Sequence, residues 1–184
     1  MTTLRQRLDD QFFPNDYQLV DGVAMQASNP SHFHVPPDVI KRQVRPGQFV
    51  ELRIDSPRFF NHDEVAERCL CPTCEGTLSK PILRHTHPAS LFPLPAQGVP
   101  SRGWGEDFWV QITERDGDVF RGLVDNPLVE SRLHGLKLRD EIVLHTNHIL
   151  AVHDVHRREL VSFMSEADLK ELAKWLAEIR ETDE

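Results

Sequence analysis

Residues 106–126 read EDFWVQITERDGDVFRGLVDN. Two β-prone runs flank RDGD, and Asp-Gly between alternating apolar segments is the strongest short-range signal for a β-hairpin. Phe108, Val110 and Ile112 fall on one face, opposite Trp109, Gln111 and Thr113, the period of a strand with one side buried. QFVELRI at 48–54 repeats the pattern upstream. After a Pro46-Gly47 turn, Val50, Leu52 and Ile54 alternate with Phe49, Glu51 and Arg53, and the aliphatic set is expected to face the core. Downstream, 128–140 reads as a connection, and 141–155 as one or two strands broken near Asn147.

Helical signals lie at the two ends. Residues 2–13 have modest helical character that stops at Pro14, and 17–27 read as extended. Pro36 and Pro37 open a short helical turn with Asp38 at its positive end. Ser165 followed by Asp168 forms a capping-box start for an amphipathic helix over 166–181. Leu169, Leu172, Ala173, Leu176 and Ile179 share one face, which must bury against the sheet or against a partner, with packing inside the chain the preferred expectation.

Between these parts, residues 55–100 differ in kind. They hold seven of the thirteen prolines and no sustained apolar period. A structureless loop of that length is unusual inside a compact domain. ERCLCPTCEGTLSKPILRHTHP (67–88) supplies an alternative to a core, because it carries all three cysteines and a His-Thr-His. Zinc takes four thiolate or imidazole ligands at about 2.0–2.3 Å. Cys71 and Cys74, with two residues between them in a turn that Gly76 can close, are the strongest pair, and Cys69 joins them if the chain bends. His87 is the first choice for the fourth place, with His85 as its rival and His62 more distant. A set of Cys71, Cys74, His85 and His87 would leave Cys69 outside. Three thiolates leave no open position for substrate, so the expected zinc is structural.

A second metal-related reading rests on HTNHILAVHDVH (145–156), where His145 and His148 lie near Asp154. A metal-dependent hydrolase using His145, His148 and nearby carboxylates is the alternative. No H-E-x-x-H motif supports it, and strand-surface histidines are the simpler account. No Ser-centred triad is identifiable.

Composition sets the outer bounds. The 184 residues suit one domain with an elaboration, and 39% hydrophobic with 27% charged content describes a chain able to bury a core in water. No apolar run approaches the ~20 residues of a bilayer span, and MTTLRQRLDDQFF lacks the apolar region of a secretory signal. Unpaired cysteines fit a reducing compartment, hence the cytoplasm. A net charge of −8 disfavours nucleic acid and is compatible with a basic protein partner.

HFHVPPDVIKRQVRPGQFVELRI (32–54), with GWGEDFWVQITERDGDVFRGLVDNP (103–127) and HGLKLRDEIVLHTNHILAVHD (134–154), resembles the bacterial domain-of-unknown-function family numbered 2314. That family has kinship to immunity proteins encoded beside polymorphic toxins. The resemblance rests on packing and turn positions and carries no catalytic residue. It implies a small, strongly curved antiparallel β-sheet or partly open barrel that binds another protein, such as a basic toxin.

The expectation is thus an α+β protein in three parts. Residues 1–29 form an N-terminal helix and extended segment. Residues 30–160 form a β-rich core with the metal-stapled insertion at 55–100, and 161–184 a C-terminal helix packed on that core. Its expected role is non-enzymatic, zinc-containing and protein-binding, of immunity or regulatory type. Trp104, Glu106, Asp107 and Asp116 are the expected contact surface.

Overall fold

The computed structural model describes residues 2–56 and 104–182, with backbone alone at 104, 181 and 182. The Cys/His insertion lies outside the described residues. Strands β1 (Gln18–Leu19), β2 (Phe49–Ser56), β3 (Trp104–Asp116), β4 (Val119–Val124) and β5 (Glu141–His145) follow one another in an antiparallel path. The short β6 (Ala151–Val152) also pairs with β2. Along the outer edge of β2, β1 meets Ile54 and Asp55 while β6 meets Val50 and Glu51, so two distant pieces share one edge.

The alternation read from the sequence is the alternation of burial. Val50, Leu52 and Ile54 of β2 and Phe108, Val110 and Ile112 of β3 are at most 1% exposed, and Phe120, Val124, Ile142 and Leu144 join them from β4 and β5. Thr113 is an extra residue between the pairs Ile112–Gly122 and Glu114–Arg121, a bulge that bends β3. Gly122 lets β4 follow the bend, since a Cβ there would lie 2.4 Å from Val110 and 2.6 Å from the Gln111 carbonyl. The sheet curls into a half-barrel around the apolar cluster. The hairpin centres on Gly117-Asp118, one residue later than the sequence suggests, with Asp116 paired to Val119 and Gly117 at φ +61°.

Helix α1 (Leu4–Asp9) starts at a Thr3–Gln6 capping box and lays Leu4 and Leu8 on Val119 and Val143, on the outer side of the sheet. Gln11 then closes the free edge of β5, its amide nitrogen donating to the Val143 carbonyl and its oxygen accepting from the Val143 N–H, both at 2.8 Å. Side-chain pairing of this kind removes an open template for strand addition.

The extended reading of 17–27 needs correction. Only Gln18–Leu19 are strand, and α2 runs Gly22–Ser28 because the Asp21 carboxylate accepts from the Ala24 N–H at 2.9 Å and caps it. Phe13, Tyr17 and Leu19 belong to the main core cluster. Helix α3 (Asp38–Lys41) begins after Pro37, and α4 (Ser131–His134) ends at Gly135 in the left-handed region. After β6 come α5 (Arg157–Phe163), which the sequence reading did not separate, and α6 (Glu166–Thr182).

Helix α6 opens on the expected capping box, with Asp168 N–H donating to Ser165 Oγ and Ser165 N–H donating to the Asp168 carboxylate. None of its described side chains is buried, and Leu169 and Leu176 are 41% and 48% exposed. Its first turns are tethered by charge, Arg42 bonding Asp168 and Glu171 at 2.6 Å each.

Candidate functional site

Because β2 and β3 turn their aliphatic residues inward, the opposite parity faces outward. Glu51 pairs with Trp109, Arg53 with Asp107 and Phe49 with Gln111. The shared edge of β2 adds to this outer face. His153 N–H donates to the Phe49 carbonyl at 3.0 Å, carrying the strand pairing one residue past β6. The following 3-10 turn (Asp154–His156) brings the chain back over Phe49. His156 stacks on Phe49 at 5.6 Å, and His153 sits edge-on to Trp109 at 5.0 Å. The result is an aromatic shelf, with Phe49 and Trp109 each partly exposed.

Two acids border the shelf. Asp107 accepts from Arg53 Nη1 at 2.8 Å, and the Arg53 side chain is 1% exposed against 39% for Asp107. The Glu51 carboxylate has no hydrogen bond or ion pair among the described residues, and burial, with a smaller contribution from Asp107, pushes its pKa above the ordinary value. A partly desolvated carboxylate beside an indole is a receptor for a cation, which gains both the charge and the ring face.

Glu106, two residues before Phe108, behaves differently. Its carboxylate bonds His134 Nε2 at 2.7 Å and accepts from the Val129 and Glu130 N–H groups at 2.8 and 3.2 Å. Burial pushes its pKa up, but those hydrogen bonds outweigh the push and hold it below the usual carboxylate value. His134 is buried and accepts from the Leu136 N–H at Nδ1, so both ring nitrogens are engaged. Tyr17 lies edge-on to His134 at 5.3 Å, its hydroxyl pKa raised by burial and by Glu130, Glu106 and Asp55. This network pins α4 to the start of β3.

His145 and His148 are neighbours at the end of β5, with ring centroids 6.3 Å apart. His145 Nδ1 accepts from the Asn147 N–H at 3.1 Å, so Nε2 carries the proton and donates to Asp118 at 2.8 Å. His148 Nδ1 accepts from the His145 N–H at 3.2 Å, and burial depresses its pKa to about 4. These lone pairs are occupied by backbone donors. Among the described residues no three His, Cys, Asp or Glu side chains gather as metal ligands.

The remaining residues singled out from the sequence divide as follows. Cys69, Cys71, Cys74, His85 and His87 lie outside the described residues, as does the Trp104 side chain. Asp107 lies on the outer face, Asp116 is exposed beside the hairpin turn, and Glu106 directs its carboxylate to His134. The sequence reading set Trp109 opposite the buried face of its strand and did not connect it with Phe49, Glu51, His153 and His156. The available signal was parity, since aromatic and acidic residues alternate with the core residues on both strands. No described helix is long and apolar enough to cross a membrane. Compared with protein families, with curated proteins and with solved structures, the chain shows no match.

Proposed function

We propose that this is a non-enzymatic binding protein, of immunity or regulatory type, whose outer β2–β3 face receives a basic side chain of another protein. The observation that carries the reading is the Glu51 carboxylate, partly buried and without a bonded partner among the described residues, on the residue paired across the strands with Trp109. A Lys or Arg from the partner would stack on Trp109, neutralise Glu51 and relieve its repulsion with Asp107. Aromatic anchors with desolvated charge partners are where binding energy concentrates. The resemblance to the immunity-related family 2314 supports the same reading, as does the net charge of −8.

We also propose that Cys69, Cys71 and Cys74, with His87 or His85, hold a structural zinc that orders the proline-rich insertion. Elemental assay of reduced protein should find about one zinc per chain, lost on Cys71→Ser.

The binding reading is tested by co-purifying the partner, reconstituting the purified pair and titrating it calorimetrically. Glu51→Gln and Trp109→Ala should each weaken Kd by about tenfold or more. Asp116→Asn and His148→Ala should change it by less than about twofold, as befits residues away from the shelf. An unchanged Kd for both Glu51→Gln and Trp109→Ala would overturn the assignment of this face.

A further inference from the structure

Independently of the outer-face reading, helix α6 carries a pattern that fits its own copy. On a helix of 3.6 residues per turn, positions 166, 169, 173, 176 and 180 form one ridge. Here the ridge reads Glu166, Leu169, Ala173, Leu176, Arg180, and all five residues are exposed. The other side of the apolar stripe, Leu172, Trp175 and Ile179, is partly covered. The acid and the base stand equally far from Ala173, one at each end of the ridge.

Read backwards, this order keeps the leucines and exchanges the acid for the base. A two-fold axis over Ala173 lays a second α6 antiparallel on the first. Glu166 then faces Arg180 of the other copy at both ends, and Leu169 falls against Leu176. A parallel pairing would set Glu166 against Glu166 and Arg180 against Arg180. Ala173 at the axis has no side chain beyond Cβ, so the helices can approach to about 8 Å, the close end of helix packing. Glu166 also bonds Lys170 within the helix at 2.7 Å, with side chains 83% and 77% exposed, which leaves its second oxygen open.

Leu176 is shared with a larger feature. It lines an apolar groove of about 510 Å³, together with Val161 of α5, Met164 just after it, and Leu172 and Trp175 of α6. Val161 is 45% exposed there. A helix laid along the ridge covers that wall.

We propose that α6 is the seam of an antiparallel homodimer with its two-fold axis at Ala173. The leucines supply the affinity, because burying apolar area is the main favourable term in association. The Glu166–Arg180 pairs are exposed and individually weak, so they fix orientation more than strength. An isologous interface of this kind closes at two copies.

Sedimentation equilibrium of the full chain, with reductant and at low salt, tests this. The native chain should dimerise in the range of tens of micromolar or tighter. Leu176→Glu should weaken association by about 100-fold or more, because it puts an unpaired carboxylate from each copy into the apolar part of the seam. Glu166→Arg and Arg180→Glu alone should each weaken it by roughly threefold to tenfold, and the double variant should recover to within about twofold, because the swap restores both pairs. All these positions are exposed, and far-UV circular dichroism confirms that the helix persists. A chain that stays monomeric at about 100 µM, a dimer indifferent to Leu176→Glu, or a double reversal that fails to recover would each overturn the proposal.

Discussion

The curled sheet and the C-terminal helix solve the same problem in opposite ways. Each has an apolar side to hide. In β2 through β5 that side is closed on itself, with Phe108, Val110, Phe120 and Leu144 at most 1% exposed. In α6 it is left partly open, and the helix is located by Arg42, which reaches Asp168 and Glu171 from just past the end of α3. Burial fixes a position through many small contacts, whereas a surface ion pair of about 0–1 kcal/mol fixes it through a few that salt weakens. A closed core and a polar tether therefore predict different responses to the same kind of change.

The largest contrast lies in truncation. Phe108→Ala should cost about 3–5 kcal/mol, since the strands flanking it can collapse only partly into the space left. Leu176→Ala in dilute protein should cost less than about 1 kcal/mol, as expected for a surface position. Urea unfolding with both variants checks this. Equal costs would mean that α6 is packed as firmly as the sheet and would erase the distinction.

Acid separates the regions next. His148, beside the end of β5, has a folded pKa depressed to about 4 by burial, with Asp21 opposing and His145 adding to the shift. The unfolded imidazole titrates near 6.5, so between these values the unfolded chain binds the proton that the folded chain refuses. Stability is whole above about pH 6.5 and falls as pH drops toward 4, by roughly 2–3 kcal/mol. His148→Leu should flatten that slope. The tether behaves otherwise, because hydrogen bonds from Arg42 and Ser165 hold the Asp168 carboxylate below its ordinary pKa. It keeps its charge through the window in which the body weakens. Denaturation midpoints from pH 7 to 4, compared with salt sensitivity of α6 amide exchange at each pH, would distinguish the two.

What the sequence disclosed follows the same divide. Period-2 alternation is a direct record of a closed apolar side, so β2, β3 and their inward residues were legible, as was the α6 capping box built from Ser165 and Asp168. Amphipathicity reports that a helix has a side needing cover, but not what covers it, and the α6 stripe alone does not choose between the sheet and a partner. Local capping overrode propensity at Asp21, turning 22–28 into helix. The outer shelf stayed hidden for a topological reason. It exists only because β6 returns to the edge of β2 and brings His153 and His156 to Phe49 and Trp109. Glu106 looked like surface charge for a similar cause, since its partner His134 arrives from a different element. Residues 55–100, where the reading depends on cysteine and histidine spacing, mostly fall outside the described residues.

The smallest effect is the most direct probe of the tether. Arg42→Ala removes both ion pairs to α6 while leaving the Ser165–Asp168 cap in place. Global stability should hardly change, because exposed pairs contribute little to the folding equilibrium. The consequence should be local. Amides in the first turns of α6 should exchange roughly fivefold faster, as a segment of few buried contacts opens independently of the body, while β2 and β3 amides keep their rates. Raising salt should reproduce the change in the native protein by screening the same pairs. If the variant instead loses several kcal/mol and β2 exchange accelerates with it, α6 is coupled to the core through its apolar side. Leu172, Trp175 and Ile179 would then be holding it more firmly than their partial exposure implies.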